Sequence, residues 1–317
     1  MKEIIERILA CESAAVMGHV NADADSLGSC YAMAQFLRGL GKRAQVFLEE
    51  KPDRYLEFMS DEYTVFENGM ETAEFELCIC LDSGDIDRLG ERRAIFDRAK
   101  TTINIDHHRT NTKFADLNYV DADASATGEI LCEMFKLSGK PMDKEIAQNL
   151  YIAMCTDTGC FKFSSVKPKT MRAAADLMEY GFDHAELIRL LFDSHSMAET
   201  KFRGEVMRNV KSYDGGRISL VSIADDLCAK VGLAEEDMPN VVDIPRCVEG
   251  TEIAVALKRR DNKVKINLRS NGDADVANIA LKFGGGGHAK AAGGAIEGVS
   301  IEEAEKMVVA ACREELG

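Results

Sequence analysis

Three short apolar runs, each ending in aspartate and histidine, constrain this chain more than anything else in it. Residues 14–20 run into a turn that carries His19, Asp23 and Asp25. Residues 75–81, FELCICL, end at Asp82, and residues 102–105, TINI, deliver Asp106, His107 and His108. Runs of this length and composition read as buried strands. The second is apolar almost throughout, as a parallel strand covered on both faces must be. Carboxylates and imidazoles converging at strand ends cost free energy unless a cation or a substrate holds them together. Open α/β sheets bind ligands at the carboxyl ends of their strands. The three runs therefore predict one site on one edge of one sheet. A polar loop with two surface histidines would explain residues 102–111 alone, but not the recurrence.

The remaining segments fill in an α/β architecture. Residues 44–48 read as a further strand, so strand, helix and strand form a parallel unit. Ser26 stands as N-cap of a helix running to Leu40, which Gly41 closes. Asp143 caps another helix, with Ala147, Leu150, Tyr151 and Met154 on one face, that stops near Asp157-Thr158-Gly159. An isolated Asp-Thr-Gly is more often a plain helix-ending turn, so Asp157 gains weight as a ligand only from the other clusters. Helices follow from Pro168 to Gly181, over 183–193 and over 196–213, and Asp214-Gly215-Gly216 marks a break in composition. Beyond it the chain reads as strands: ISLVSI, then TEIAVALKRR and KVKINLRS around an Asp261-Asn262 turn. A helix near Asp275, a glycine run at 284–287 before His288 and a final amphipathic helix from Ile301 complete the chain. The expected fold is α/β: a parallel-sheet domain with helices on both faces (residues 1–195), a helical linker (196–213) and a smaller α/β domain with a mixed sheet (214–317).

Composition narrows the function. A net charge of −15 excludes a long, sequence-independent nucleic-acid track, which needs a basic surface. It leaves room for a small anionic substrate, because a metal-rich pocket reverses the local field. Charge is also uneven: six basic residues and one acid lie between Lys258 and Arg269. No apolar run approaches the roughly 20 residues a membrane span needs, and the first helix is amphipathic and acidic, so a cytoplasmic protein is expected. Ten cysteines without a CxxC pair read as reduced and mostly buried, not as structural zinc ligands. No G-x-G-x-x-G follows the first strand, which excludes a dinucleotide-binding oxidoreductase. The glycine run is either a flexible linker or a place where backbone closely approaches a phosphate. In the second case His288 is presented beside that approach, and Arg269 can clamp a phosphate bidentately.

Taken in order, His19-x-x-x-Asp23-x-Asp25, Asp82, Asp106-His107-His108 and Asp157 resemble the four motifs of the DHH-family phosphoesterases. RSNGD at 269–273 and GGGGH at 284–288 resemble the DHH-associated C-terminal domain. The first motif departs from the family's usual Pro-Asp-Gly-Asp in having Ala22 and Ala24. Length and domain pair look most like the oligoribonuclease/pAp phosphatase type within the family. The resemblance implies two divalent metal ions, manganese before magnesium. His19, Asp23 and Asp82 would hold one, and Asp25, Asp82, His107 and Asp157 the other, with Asp82 bridging. His108 would face the substrate phosphate and Asp106 would orient its neighbour, while Arg269, Ser270, Gly285, Gly286, Gly287 and His288 would hold the far phosphate or 3′ end. It implies hydrolysis, by attack of a metal-bound hydroxide, of RNA or DNA oligonucleotides of about two to five nucleotides, since an acidic surface offers a longer strand no track. The second implied substrate is 3′-phosphoadenosine 5′-phosphate (pAp). The alternatives are a phosphodiesterase for cyclic or linear dinucleotides (c-di-AMP, pApA, pGpG) and a non-catalytic nucleotide-binding module. No membrane partner is expected, and a homodimer is left open.

Overall fold

In the computed structural model the three aspartate- and histidine-tipped runs lie side by side at the centre of one parallel sheet. The structure describes residues 1–59, 61–67, 69–70 and 74–317 and divides into two units, Met1–Ser194 and His195–Gly317. The first unit's sheet contains β1 (Ser13–Met17), β2 (Arg43–Leu48), β3 (Tyr63–Val65), β4 (Leu77–Leu81), β5 (Thr101–Asp106) and β6 (Leu117–Val120), in the order β3-β2-β1-β4-β5-β6. Every pairing is parallel. The chain winds outward from β1 to β3 and then returns to the middle, so β1 and β4 flank the topological switch point, where such sheets open a crevice. Met17 pairs with Cys80 and Leu81 with Ile105. Continued by a residue or two, that register brings His19, Asp82 and Asp106 to one level.

The helices of this unit are α1 (Lys2–Ala10), α2 (Ala24–Gly39), α3 (Arg93–Phe96), α4 (Thr127–Ser138), α5 (Lys144–Asp157), α6 (Pro168–Met178) and α7 (His184–Phe192). Alternation along β1 shows that both faces of the sheet are covered. Ala14 and Val16 join the core beneath α2, α4 and α5, whereas Ala15 and Met17 pack with Leu89, Ile95 and Phe96 on the opposite side. Asp143 caps α5 by accepting from the Ile146 N–H at 2.9 Å. At α2 the cap is Asp23, not Ser26. Asp23 Oδ1 accepts from the N–H groups of Asp25 and Ser26, and the Ser26 hydroxyl instead accepts from the His19 N–H. The two outer strands β3 and β6 have no counterpart in the sequence reading, being three and four residues long and only partly buried.

The second unit contains α8 (Met197–Arg208), β7 (Lys211–Tyr213), β8 (Ile218–Ile223), α9 (Leu227–Val231), α10 (Asp243–Arg246), β9 (Ile253–Arg260), β10 (Lys263–Ser270), α11 (Val276–Leu281), β11 (Gly286–His288), β12 (Ala291–Glu297) and α12 (Ile301–Leu316). Its sheet runs β11-β12-β10-β9-β8-β7 and is mixed, with β8 and β9 parallel and the other pairs antiparallel. The expected linker helix differs in two ways. Phe202 and Val206 of α8 are buried against Val221, Ile223 and Leu227, so the helix is part of the second unit's core. Its expected last residues form the edge strand β7 instead. Among the described residues no helix is long and apolar enough to cross a membrane.

Candidate metal centre

Each side chain of the site is set by an element end. His19 and Asp82 lie just beyond β1 and β4, Asp106 is the last residue of β5 and His107 and His108 follow it, Asp23 and Asp25 form the start of α2, and Asp157 is the last residue of α5. Asp82 adopts φ +55°, a left-handed conformation seldom taken by residues other than glycine, and such strain concentrates at functional sites. The structure brings all six residues expected as metal ligands together. His19 Nε2 lies 3.7 Å from Asp23 Oδ2 and 3.6 Å from Asp82 Oδ2. His107 Nε2 lies 3.5 Å from Asp82 Oδ1, 3.6 Å from Asp157 Oδ2 and 3.9 Å from Asp25 Oδ2. The two oxygens of Asp82 thus face different histidines.

These separations are too long for direct hydrogen bonds. Donor atoms sharing a cation at about 2.1 Å stand about 3.0 Å apart when cis and about 4.2 Å when trans, and the observed distances fall between those limits. Charge argues the same way. Asp25 and Asp82 are each only 2% exposed. Burial, and then the charges of Asp82, Asp157 and Asp23, push Asp25 well above the usual carboxylate range. Burial also raises Asp157, which His107 pulls down and Asp82 and Asp23 push up, to about 6. Burial would lower His19, but Asp23 and Asp82 beside it hold it up at about 10. Four carboxylates crowded around two imidazoles form a site that divalent cations relieve, and the residues fit such ions.

His108 stands apart from this set. Its Nδ1 lies 3.7 Å from Asp82 Oδ1, within reach of a shared ion, but it is committed to Asp106 Oδ1 at 2.7 Å. That bond raises His108 to about 9 against the opposing effect of burial. Asp106 is fully buried, and both its oxygens are used: Oδ1 also accepts from the His107 N–H at 2.9 Å, and Oδ2 accepts from Asn111 Nδ2 at 2.6 Å. Asn111 Nδ2 also donates to Asn104 Oδ1 at 2.8 Å. At His19, Nδ1 lies 2.8 Å from the Val20 carbonyl and 3.0 Å from Arg88 Nη2. Donation from Nδ1 to Val20 orients the ring so that Nε2, on the side of the carboxylates, is the nitrogen that would lose its proton to take a cation.

The sequence reading gave no role to Asn104, Asn111 or the start of α4. The N–H groups of Thr127 and Gly128 donate to Asp25 Oδ2 and Oδ1 at 2.8 and 3.0 Å. Gly128 is needed there, because a Cβ would stand 2.6 Å from Ala153 Cβ on α5. The only hint in the sequence is the small-residue run Ala124-Ser125-Ala126-Thr127-Gly128, which has no distinctive chemistry of its own.

In the second unit Arg269 on β10 and His288 on β11 are both paired with Ala291 of β12, one from each side. They therefore share a sheet face across a small residue. Arg269 makes no ion pair among the described residues, and burial lowers its pKa. Ser270 does not join them. It is next along β10, so it faces the opposite side, buried, and its hydroxyl donates to the Gly272 carbonyl at 3.2 Å. The second half of the glycine run, Gly286 and Gly287, lies in the edge strand β11, while Gly284 and Gly285 lead into it. Gly287 has φ +142°, and a Cβ there would meet the Ala291 carbonyl at 2.6 Å.

The chain resembles known proteins along nearly its whole length. Residues 13–154 match the DHH family, N-terminal domain, and residues 220–314 match the DHHA1 domain. The bifunctional oligoribonuclease and PAP phosphatase NrnA of Thermus thermophilus is 35% identical, over 94% of this chain and 88% of the relative. The protein of the same name from Bacillus subtilis is 28% identical over 96% of each chain. The crystal structure of an exopolyphosphatase-related protein from Bacteroides fragilis superposes with a TM-score of 0.92 at 25% identity, covering 99% of this chain and 95% of that one.

Proposed function

The chain belongs to the DHH family, and on that premise we propose that it is a hydrolase of short oligonucleotides, about two to five nucleotides long, and of pAp, dependent on two divalent cations with manganese preferred. The observation that carries the proposal is the convergence of three Asp/His sets at the switch point of the sheet: Asp82 stands in two of them, with His19 and Asp23 and with His107 and His108, and the third is Asp25, His107 and Asp157. The names of the two relatives supply the substrate class. Mixed imidazole and carboxylate ligation suits manganese or magnesium better than a closed zinc site.

His19, Asp23 and Asp82 would hold one cation, and Asp25, Asp82, His107 and Asp157 the other. When bound, such ions supply neutralisation of phosphate charge and activation of water. The chain's own groups do the rest. His108, held at Nδ1 by Asp106, offers its Nε2 proton to a phosphate oxygen, and Asn111 keeps the Asp106 carboxylate from turning. No side-chain nucleophile is required. Arg269 and His288 bind the distal phosphate or terminal nucleotide and so set substrate length.

A hydrolysis screen over pAp, pApA, pGpG, cyclic-di-AMP, pyrophosphate and RNAs of increasing length tests this reading. With manganese, pAp and dinucleotides should turn over, and chelator should abolish the activity. Absence of metal-dependent hydrolysis on every substrate would leave the protein a nucleotide-binding module. Preference for the cyclic dinucleotide would move it to the other phosphodiesterase class.

A further inference from the structure

Thr127 is fully buried, and its hydroxyl donates to Asp82 Oδ1 at 3.0 Å. The Asp82 carboxylate sits 3.5 to 3.7 Å from three imidazole nitrogens, farther than from this hydroxyl. Asp82 also has the left-handed backbone noted above. An aspartate side chain rotates freely about its last bond unless something holds it. Here one hydroxyl fixes the plane in which the two oxygens face different histidines.

The same segment holds a second carboxylate. Helix α4 has no side-chain cap of its own, since its N-cap is Ala126. The first N–H groups of a helix have no partner within it, and those of Thr127 and Gly128 are taken by Asp25 from α2. Asp25 is both an external cap of α4 and a member of the metal site. The first turn of α4 therefore grips two carboxylates on two different elements, one by main chain and one by the Thr127 hydroxyl.

Resting on the dinuclear reading above, we propose that Thr127 is a positioning residue of the metal centre, fixing through its hydroxyl the Asp82 carboxylate that the two ions share. It touches neither ion nor substrate. Groups that orient a ligand from behind in this way alter metal affinity by about 10- to 100-fold when removed.

The test titrates chelator-stripped protein with manganese chloride by calorimetry and records the thermal midpoint of the metal-free form beside it. Thr127→Val keeps the shape and loses the donor, and should weaken manganese binding about 10- to 100-fold, while Thr127→Ser, which keeps the donor, should bind within about threefold of the unaltered protein. Thr127→Ala removes the hydroxyl without setting a methyl against the carboxylate and should match Thr127→Val, which covers poor folding of the latter. Native affinity in both Thr127→Val and Thr127→Ala overturns the inference, and so does a Thr127→Ser variant as weak as they are. Failure of the unaltered protein to bind manganese overturns the dinuclear reading instead.

Discussion

Asp106→Asn separates orientation of His108 from metal binding. Both oxygens of Asp106 are acceptors, one toward His107 N–H and His108 Nδ1 and the other toward Asn111 Nδ2. An asparagine offers one oxygen and one NH2, so either His108 or Asn111 must then face a donor. If the oxygen stays with His108, a neutral bond replaces a charge-assisted one, and the new NH2, fully buried, faces Asn111 Nδ2, which keeps its bonds to Asn104 Oδ1 and the Ser83 carbonyl. Charge-assisted bonds contribute about 1.5–3 kcal/mol, which corresponds to a fall in kcat of about 10- to 150-fold. Neither Asp106 oxygen belongs to the sets of ligand atoms gathered around Asp82. Manganese stoichiometry should therefore stay unchanged, with affinity within about threefold. The assay pairs steady-state turnover of pAp and pApA with calorimetric manganese titration of the same preparation. Loss of metal in proportion to loss of rate would refute the division of labour, and so would an unchanged rate.

Other outcomes follow from the same geometry. His107→Ala should lower manganese occupancy, whereas His108→Ala should retain it and lose rate; equal metal loss in both, by metal analysis, would show the roles reversed or shared. Arg269→Ala and His288→Ala should each slow dinucleotide and pAp turnover by about 10- to 100-fold, leaving bis-p-nitrophenyl phosphate far less affected and metal content unchanged. Turnover should also fall for RNAs well beyond about five nucleotides, and equal rates on 24-mers would count against a terminal grip. In chelator, stability should fall as pH rises. Asp157, His19 and His108 all have folded pKa values above their ordinary ones, at about 6, 10 and 9, so each favours the fold below its unfolded pKa and loses that contribution as pH climbs through the folded value. The metal-free melting midpoint should accordingly decline between pH 5 and pH 9, and manganese should restore more of it at pH 8 than at pH 5. A flat or rising midpoint in calorimetry would contradict this.

What could be read from the sequence follows from where the information sits. β1 and β4 announce themselves because central parallel strands are apolar on both faces, β5 because of its β-branched Thr102, Ile103 and Ile105, and all three because the polar residues after them have no packing role. β3 and β6 are edge strands with few buried positions, so their pattern is too short to show. α8 reads as a solvated linker because its charged residues outnumber the two, Phe202 and Val206, that bury it. β11 is hidden for the opposite reason: glycine has no side chain to alternate. Choosing Asp23 over Ser26 as cap depends on where β1 delivers His19, which claims the serine hydroxyl. Thr127 and Asn111 are common polar residues whose importance comes from what lies 45 and 5 residues away, at Asp82 and Asp106. A single sequence contains no trace of the first of those distances.

The central claim is that Asp82 joins two ions, and anomalous diffraction from crystals grown with manganese tests it most directly. Two anomalous peaks about 3.5–4 Å apart are predicted, one beside His19 and Asp23, the other beside Asp25, His107 and Asp157, with an Asp82 oxygen in contact with each. A single peak, or none within bonding distance of Asp82, would contradict the account.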